Sequence, residues 1–118
     1  MKTFEEIRNN PKIEIVAMAH DGGACYMKTH SGGKAEKIGI IFSNGAGWEH
    51  VSASLKKRCP TWEEMCKIKD IFFNKDECAI QYHPAEKDYV NNHPYCLHIW
   101  KPIGAELPQP PTWLVGFK

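Results

Sequence analysis

At 118 residues, with 42% hydrophobic and 25% charged side chains, the chain has the size and composition of one globular domain rather than a disordered or fibrous polypeptide. Its formal net charge of +1 supplies no overall field to draw in nucleic acid or a membrane surface. No apolar run approaches the roughly 18 residues that span a bilayer, and the opening MKTFEEIRNN lacks the apolar stretch of a secretory signal, so a cytoplasmic location is expected.

In chain order, TFEE reads as a capping box with Thr3 as N-cap and Glu6 reaching back, which predicts a short helix over Phe4 to Arg8 that Pro11 ends. Lys12 to Ala19 is apolar and β-branched and reads as a strand. A turn at Asp21 to Gly23 leads to a hairpin partner over Ala24 to His30, and SGGK turns the chain into a third strand over Lys37 to Ser43. NGAG, at Asn44 to Gly47, is a further hairpin signal before WEHVSASL. In that fourth strand Trp48, His50, Ser52 and Ser54 share one side, and Val51, Ala53 and Leu55 the other.

The hydrophobic period then changes. Thr61 and Glu64 form a second capping box, and Trp62, Met65, Cys66, Ile68, Phe72 and Phe73 recur at helical spacing, which predicts an amphipathic helix covering one face of the sheet. Cys78 to His83 and Tyr95 to Trp100 read as two more strands. KPIGAELPQPP is extended, and TWLVGF reads as an edge strand or a packed tail. The expected fold is α+β: a largely antiparallel sheet of about six strands, covered by one main helix, with a short helix at the N-terminus.

Five cysteines stand at irregular spacing without a C-x-x-C pair, which predicts buried thiols and no disulfide framework. H-E-x-x-H is absent, so neither a metal nor a cofactor is expected. The glycine pairs sit in hairpin turns and do not spell a phosphate-binding loop. HVS, at His50 to Ser52, has the H-x-[ST] form in which a histidine does acid–base work while a hydroxyl holds phosphate. A second copy of that triplet is missing, because Ile99 and Trp100 follow His98.

If the fifth and sixth strands pair, His83 and His98 share a face, and His50 joins them if the fourth strand lies beside the sixth in matching register. Trp48 and Trp100 fall on the same strand faces as His50 and His98. Together with the basic run Lys56, Lys57, Arg58, these side chains would suit an aromatic base carrying a phosphate. The expected ligand site is therefore Trp48, His50, Arg58, His83, His98 and Trp100: tryptophans to stack, Arg58 to meet phosphate, histidines to donate hydrogen bonds.

GWEHVSASL, RCPTWEEMCKIKDIFF and NNHPYCLHIWKP resemble a family of small proteins encoded by bacteriophages and prophages. Such proteins carry G-W-[ED]-H-V-S, then R-C-P-T-W-E-E-M, then N-H-x-x-C-L-H-[IL]-W. The likeness runs from Gly47 to Pro102 and leaves the N-terminal strands outside. No activity is attached to that family, so the resemblance implies an origin, in the cytoplasm of an infected bacterial host, more than a mechanism. A small phage protein of this kind is expected to counter host defence by sequestering a nucleotide-type signal. It would be a non-enzymatic binder of a small anionic ligand, and a homo-oligomer. Two alternatives stand beside it. A histidine-dependent phosphodiesterase or nuclease would bring His50 and His98 to within about one water of a shared point. A protein-interaction module, acting on a host or phage partner, would show an exposed apolar patch.

Overall fold

The computed structural model describes residues 3–31, 33–45, 47–55, 58–74, 76–82 and 96–103. Helix α1 (Phe4–Arg8) is capped as its sequence predicts: the Thr3 hydroxyl accepts the Glu6 N–H and in turn donates to the Glu6 carboxylate. Four strands follow as consecutive antiparallel hairpins: β1 (Ile13–Ala19), β2 (Gly22–Ser31), β3 (Lys34–Gly45) and β4 (Trp48–Ser54). Helix α2 (Trp62–Phe73) comes next, then β5 (Ala79–Tyr82) and β6 (Leu97–Pro102). The six strands form one antiparallel sheet in the order β1-β2-β3-β4-β6-β5, so the expected α+β architecture holds.

The turns explain the hairpins. Gly47 takes φ +83°, a backbone conformation that side chains resist, and it closes the β3–β4 connection. Gly22 starts β2 where a Cβ would run into the Phe42 carbonyl oxygen and the Ser43 backbone. Strand β1 carries a bulge between Ile15 and Ala17.

One face of the sheet is the main core. Cys25 and Met27 of β2, Ile38, Ile40 and Phe42 of β3, Val51 and Ala53 of β4, and Leu97 and Ile99 of β6 all point to it. There they meet Ile7 of α1 and Met65, Ile68, Ile71, Phe72 and Phe73 of α2. Alternation thus sends every even position of β4 and β6 to the second face, among them Trp48, His50, Ser52, His98 and Trp100. Trp48 and Trp100 form a small second core with Ala79.

Several expectations are corrected. Trp62 is 63% exposed and Cys66 is also exposed, although both were expected on the buried face of α2. At 100° per residue, Met65, Ile68, Ile71 and Phe72 define an arc whose centre lies roughly 110° from Trp62 and 150° from Cys66; Phe73, the last helical residue, is buried outside that arc. Glu64 takes the core-side place instead, because its carboxylate is satisfied there by Arg58, Thr29 and the Thr61 N–H. Cysteine pairing is the second correction: Cys59 and Cys96 form a disulfide, with Cα atoms 6.0 Å apart, while Cys25, Cys66 and Cys78 are free thiols. Cys96 stands just before β6 and not within it, and the bond ties that strand to the segment leading into α2. The sixth strand also begins later than expected, at Leu97, and runs on to Pro102. Tyr95, His83, Lys56, Lys57 and the TWLVGF tail lie outside the described residues. Among the described residues, no helix is long and apolar enough to cross a membrane.

Candidate functional site

The antiparallel register builds the site directly. His50 pairs with Trp100, and Ser52 pairs with His98, across the β4–β6 ladder. Partners in such a ladder have their side chains on the same face, so residues far apart in sequence meet by strand pairing alone. On the outer side of β6, Gln81 pairs with His98 and Ala79 with Trp100. On the other side of β4, Ile41 pairs with Ser52 and Ser43 with His50.

His50 and His98 touch. His50 Nε2 lies 2.9 Å from His98 Nδ1, a hydrogen-bond distance between ring nitrogens, and the rings are nearly parallel with an interplanar angle of 10°. Ser52 Oγ is 3.2 Å from each of the same two nitrogens. Trp100 stacks on the His50 ring with centroids 3.8 Å apart, and Trp48 meets Trp100 edge-on at 5.7 Å. The expected meeting of His50 and His98 is therefore closer than one water, and Trp100 uses one of its faces on His50 within the cluster itself.

Burial sets the electrostatics. His98 is 5% exposed and Trp48, Trp100, Ser52 and Gln81 are buried with it, whereas His50 is only partly buried. Burial, with the neighbouring His98 charge as a second cause, pushes the His50 pKa down to about 3. His50 is thus neutral at physiological pH. A neutral imidazole carries one N–H and one lone pair. With both rings neutral, the proton in the bridge would belong to one ring at a time, which would leave the outward nitrogens, His50 Nδ1 and His98 Nε2, as one acceptor and one donor. Moving the bridging proton, with one proton gained at the acceptor nitrogen and one lost from the donor, would exchange those roles.

Arg58 does not join this cluster. Its guanidinium pairs with Glu64 at 2.7 Å and Glu36 at 3.3 Å, on the side of the sheet that carries the helices. It lies past the end of β4, where strand alternation no longer decides which way a side chain points. There it lines a cavity of about 700 Å³ with Met27, Thr29 and, along α2, Glu64, Lys67 and Ile71. Burial alone would raise the Glu64 carboxyl, but hydrogen bonds from Arg58, Thr29 and the Thr61 N–H hold its pKa down to about 2. Arg58 therefore anchors the start of α2. Of the six expected site residues, Trp48, His50, His98 and Trp100 come together, Arg58 stands apart, and His83 lies outside the described residues.

Two members were not among those six. Ser52 bridges the histidines, and Gln81 lies beside His98. Both follow from the period of two once β4, β6 and β5 are neighbours. Among the described residues, no group of three or more His, Cys, Asp or Glu side chains is placed to hold a metal ion.

No curated protein and no solved structure matches the chain. Residues 40–104, more than half of its length, match the model of a family described as a domain of unknown function, DUF7694. That match runs from within β3 to just beyond β6 and takes in the whole histidine cluster. The chain belongs to the DUF7694 family.

Proposed function

We propose that the second face of the sheet is an acid–base centre acting on a small anionic ligand of nucleotide type, and that the chain is a histidine-dependent phosphodiesterase. The observation that carries this reading is the contact between His50 Nε2 and His98 Nδ1 at 2.9 Å, with Ser52 Oγ equidistant from both. Phosphodiester cleavage needs a base for the attacking hydroxyl and an acid for the leaving oxygen. The bridged pair offers both. As one outward nitrogen takes a proton and the other gives one, the bridging proton crosses from ring to ring. Both rings finish neutral with their roles reversed. Burial keeps the His50 ring neutral, so it retains a lone pair with which to accept a proton.

The near-complete burial of His98 favours a second reading, in which the same cluster holds its ligand without turnover. Under that reading the chain would sequester a nucleotide-type signal. For its wider setting, the resemblance of its motifs supports a phage origin, and a role in countering host defence is inferred from that origin alone.

One experiment decides between them. The purified chain is melted against a panel of mono-, di- and cyclic nucleotides, and the ligand is then recovered and chromatographed. A raised melting temperature with cleaved ligand, lost in both His50→Gln and His98→Gln, is the expected result. Ligand returned intact replaces the enzyme with a sequestering protein. No shift and no cleavage across the panel removes both.

A further inference from the structure

Strand β2 outruns its neighbour. Its ladder with β1 ends at the Ile13–Met27 pair, whereas β2 continues through Lys28, Thr29 and His30 to Ser31, paired there with β3 on its other side. Before Ile13 the chain turns away. The Ile13 N–H donates to the Asn10 carbonyl at 3.1 Å, and the Lys12 N–H donates to Asn10 Oδ1 at 2.9 Å. Pro11 stands within that turn and has no N–H to give a ladder. Among the described residues, the lane that β1 fills beside Gly22 to Met27 is therefore vacant beside Thr29 to Ser31. The cavity of about 700 Å³ lies along this stretch. Thr29 and His30 line it on the strand side, Lys67 and Ile71 on the α2 side, and Pro11 and Lys12 at the end where β1 begins. A strand edge facing a helix across a groove is an arrangement that accepts an extended peptide as an added strand.

We propose that this lane binds the C-terminal segment of a partner polypeptide, added antiparallel to β2, with its terminal carboxylate between Lys12 and Lys28. Two observations name that occupant. An added strand cannot run on past Met27, because β1 fills the lane from there, so the bound chain ends at the Pro11–Lys12 turn. At that end stand two ammonium groups. Lys28 faces Lys37 across the β2–β3 ladder, a like-charge pair that costs stability. Lys37 is answered by Glu14 at 3.4 Å, but among the described residues no carboxylate lies within ion-pair distance of Lys28 or Lys12. A carboxylate arriving there meets both charges, and an amino terminus would be repelled. With the carboxylate inward, the segment runs toward the start of β1, which makes it antiparallel to β2. Side-chain alternation then sends its last residue, beside Thr29, to the α2 side, where Met27 and Ile71 offer apolar surface. The residue before it lies beside His30, on the opposite face. The fitting ligand thus ends in an apolar residue with a free carboxylate.

The test titrates the full chain into a hexapeptide, Gly-Ser-Thr-Ser-Thr-Val, labelled at its N-terminus with fluorescein and made both as the free acid and as the C-terminal amide. Fluorescence anisotropy reads the affinity for the wild-type chain, Lys12→Gln and Lys28→Gln. Both lysines are exposed, and a melting curve for each variant checks its fold. The free acid should bind with a Kd below about 1 mM and the amide about tenfold more weakly. Each lysine variant should weaken the free acid about threefold and leave the amide unchanged. In the wild type, the free acid should shift the backbone amide signals of Thr29 and His30 and slow their hydrogen exchange. Equal binding of acid and amide overturns the proposal, since the carboxylate then has no place in the site. So does the absence of saturable binding by the free acid. Binding that shifts the His50 and His98 signals and spares Thr29 and His30 overturns it as well, by placing the peptide on the opposite face.

Discussion

His50 and His98 are 48 positions apart in the chain, yet their ring nitrogens lie 2.9 Å apart because Ser52 and His98 are cross-strand partners. The consequence for titration is specific. Burial is the larger cause of the low His50 pKa and the His98 charge the smaller, so removing that charge restores only part of the shift. In the wild-type chain, nitrogen chemical shifts of His50 should stay those of a neutral imidazole down to about pH 4, since the midpoint lies at about 3. In His98→Gln the midpoint should rise yet remain below 6.5, the ordinary value. A His50 that titrates at its ordinary value in the wild type would mean that the ring is solvated and the bridge is absent.

Among the elements, α2 shows what the sequence could and could not reveal. Its capping box, Thr61 with Glu64, reads directly from the spacing, and both halves of the box form. Its buried face was misjudged at Trp62 and Cys66 because apolar identity suggested core; both lie away from the Met65–Ile68–Ile71–Phe72 arc, although Phe73, at a similar angle on the last residue of the helix, is buried. Glu64 is buried since Arg58, from beyond β4, reaches it, and no local pattern in the helix announces that partner. The disulfide was equally illegible: Cys59 and Cys96 are separated by 37 positions and meet only once β6 lies beside β4. Its mechanical role is to fix the entry to β6, two residues before His98, against the segment that leads into α2. For a loop of this length the chain-entropy account gives a stabilisation of about 4 kcal/mol. Denaturant midpoints of the native chain and of Cys59→Ser/Cys96→Ser should differ accordingly, and the unreduced native chain should show three reactive thiols on unfolding, those of Cys25, Cys66 and Cys78. Five thiols, with no loss of stability on reduction, would show that the bond does not form.

At the scale of the whole molecule, the hairpin run β1 to β4 was legible because each turn carries its glycines between alternating strands. The insertion of β6 between β4 and β5 was not, since a period of two assigns faces and leaves neighbours open. That insertion creates the histidine pair, and it also gives the fold a distinctive response to acid. His50 has its pKa lowered on folding, so between about 3 and 6.5 the unfolded chain binds a proton that the folded chain does not. Stability therefore rises with pH across that window and is lost as pH falls through it, by up to about 1.4 kcal/mol per pH unit. The Glu64 carboxyl, held down to about 2 against an ordinary 4.5, adds a second loss that begins only below the latter value. Asp76, lowered by its hydrogen bond from Lys101, acts in the same direction as Glu64. Unfolding free energy measured by urea titration should thus be level near neutrality, decline from about pH 6.5, and decline more steeply below about 4.5. His50→Gln removes the first decline and keeps the second, because glutamine does not titrate and the Arg58–Glu64 pair lies on the opposite side of the sheet. A His50→Gln chain that still loses stability between pH 6.5 and 4.5 as the wild type does would assign that decline to other groups, and His50 would then have to be protonated in the folded protein at mildly acid pH.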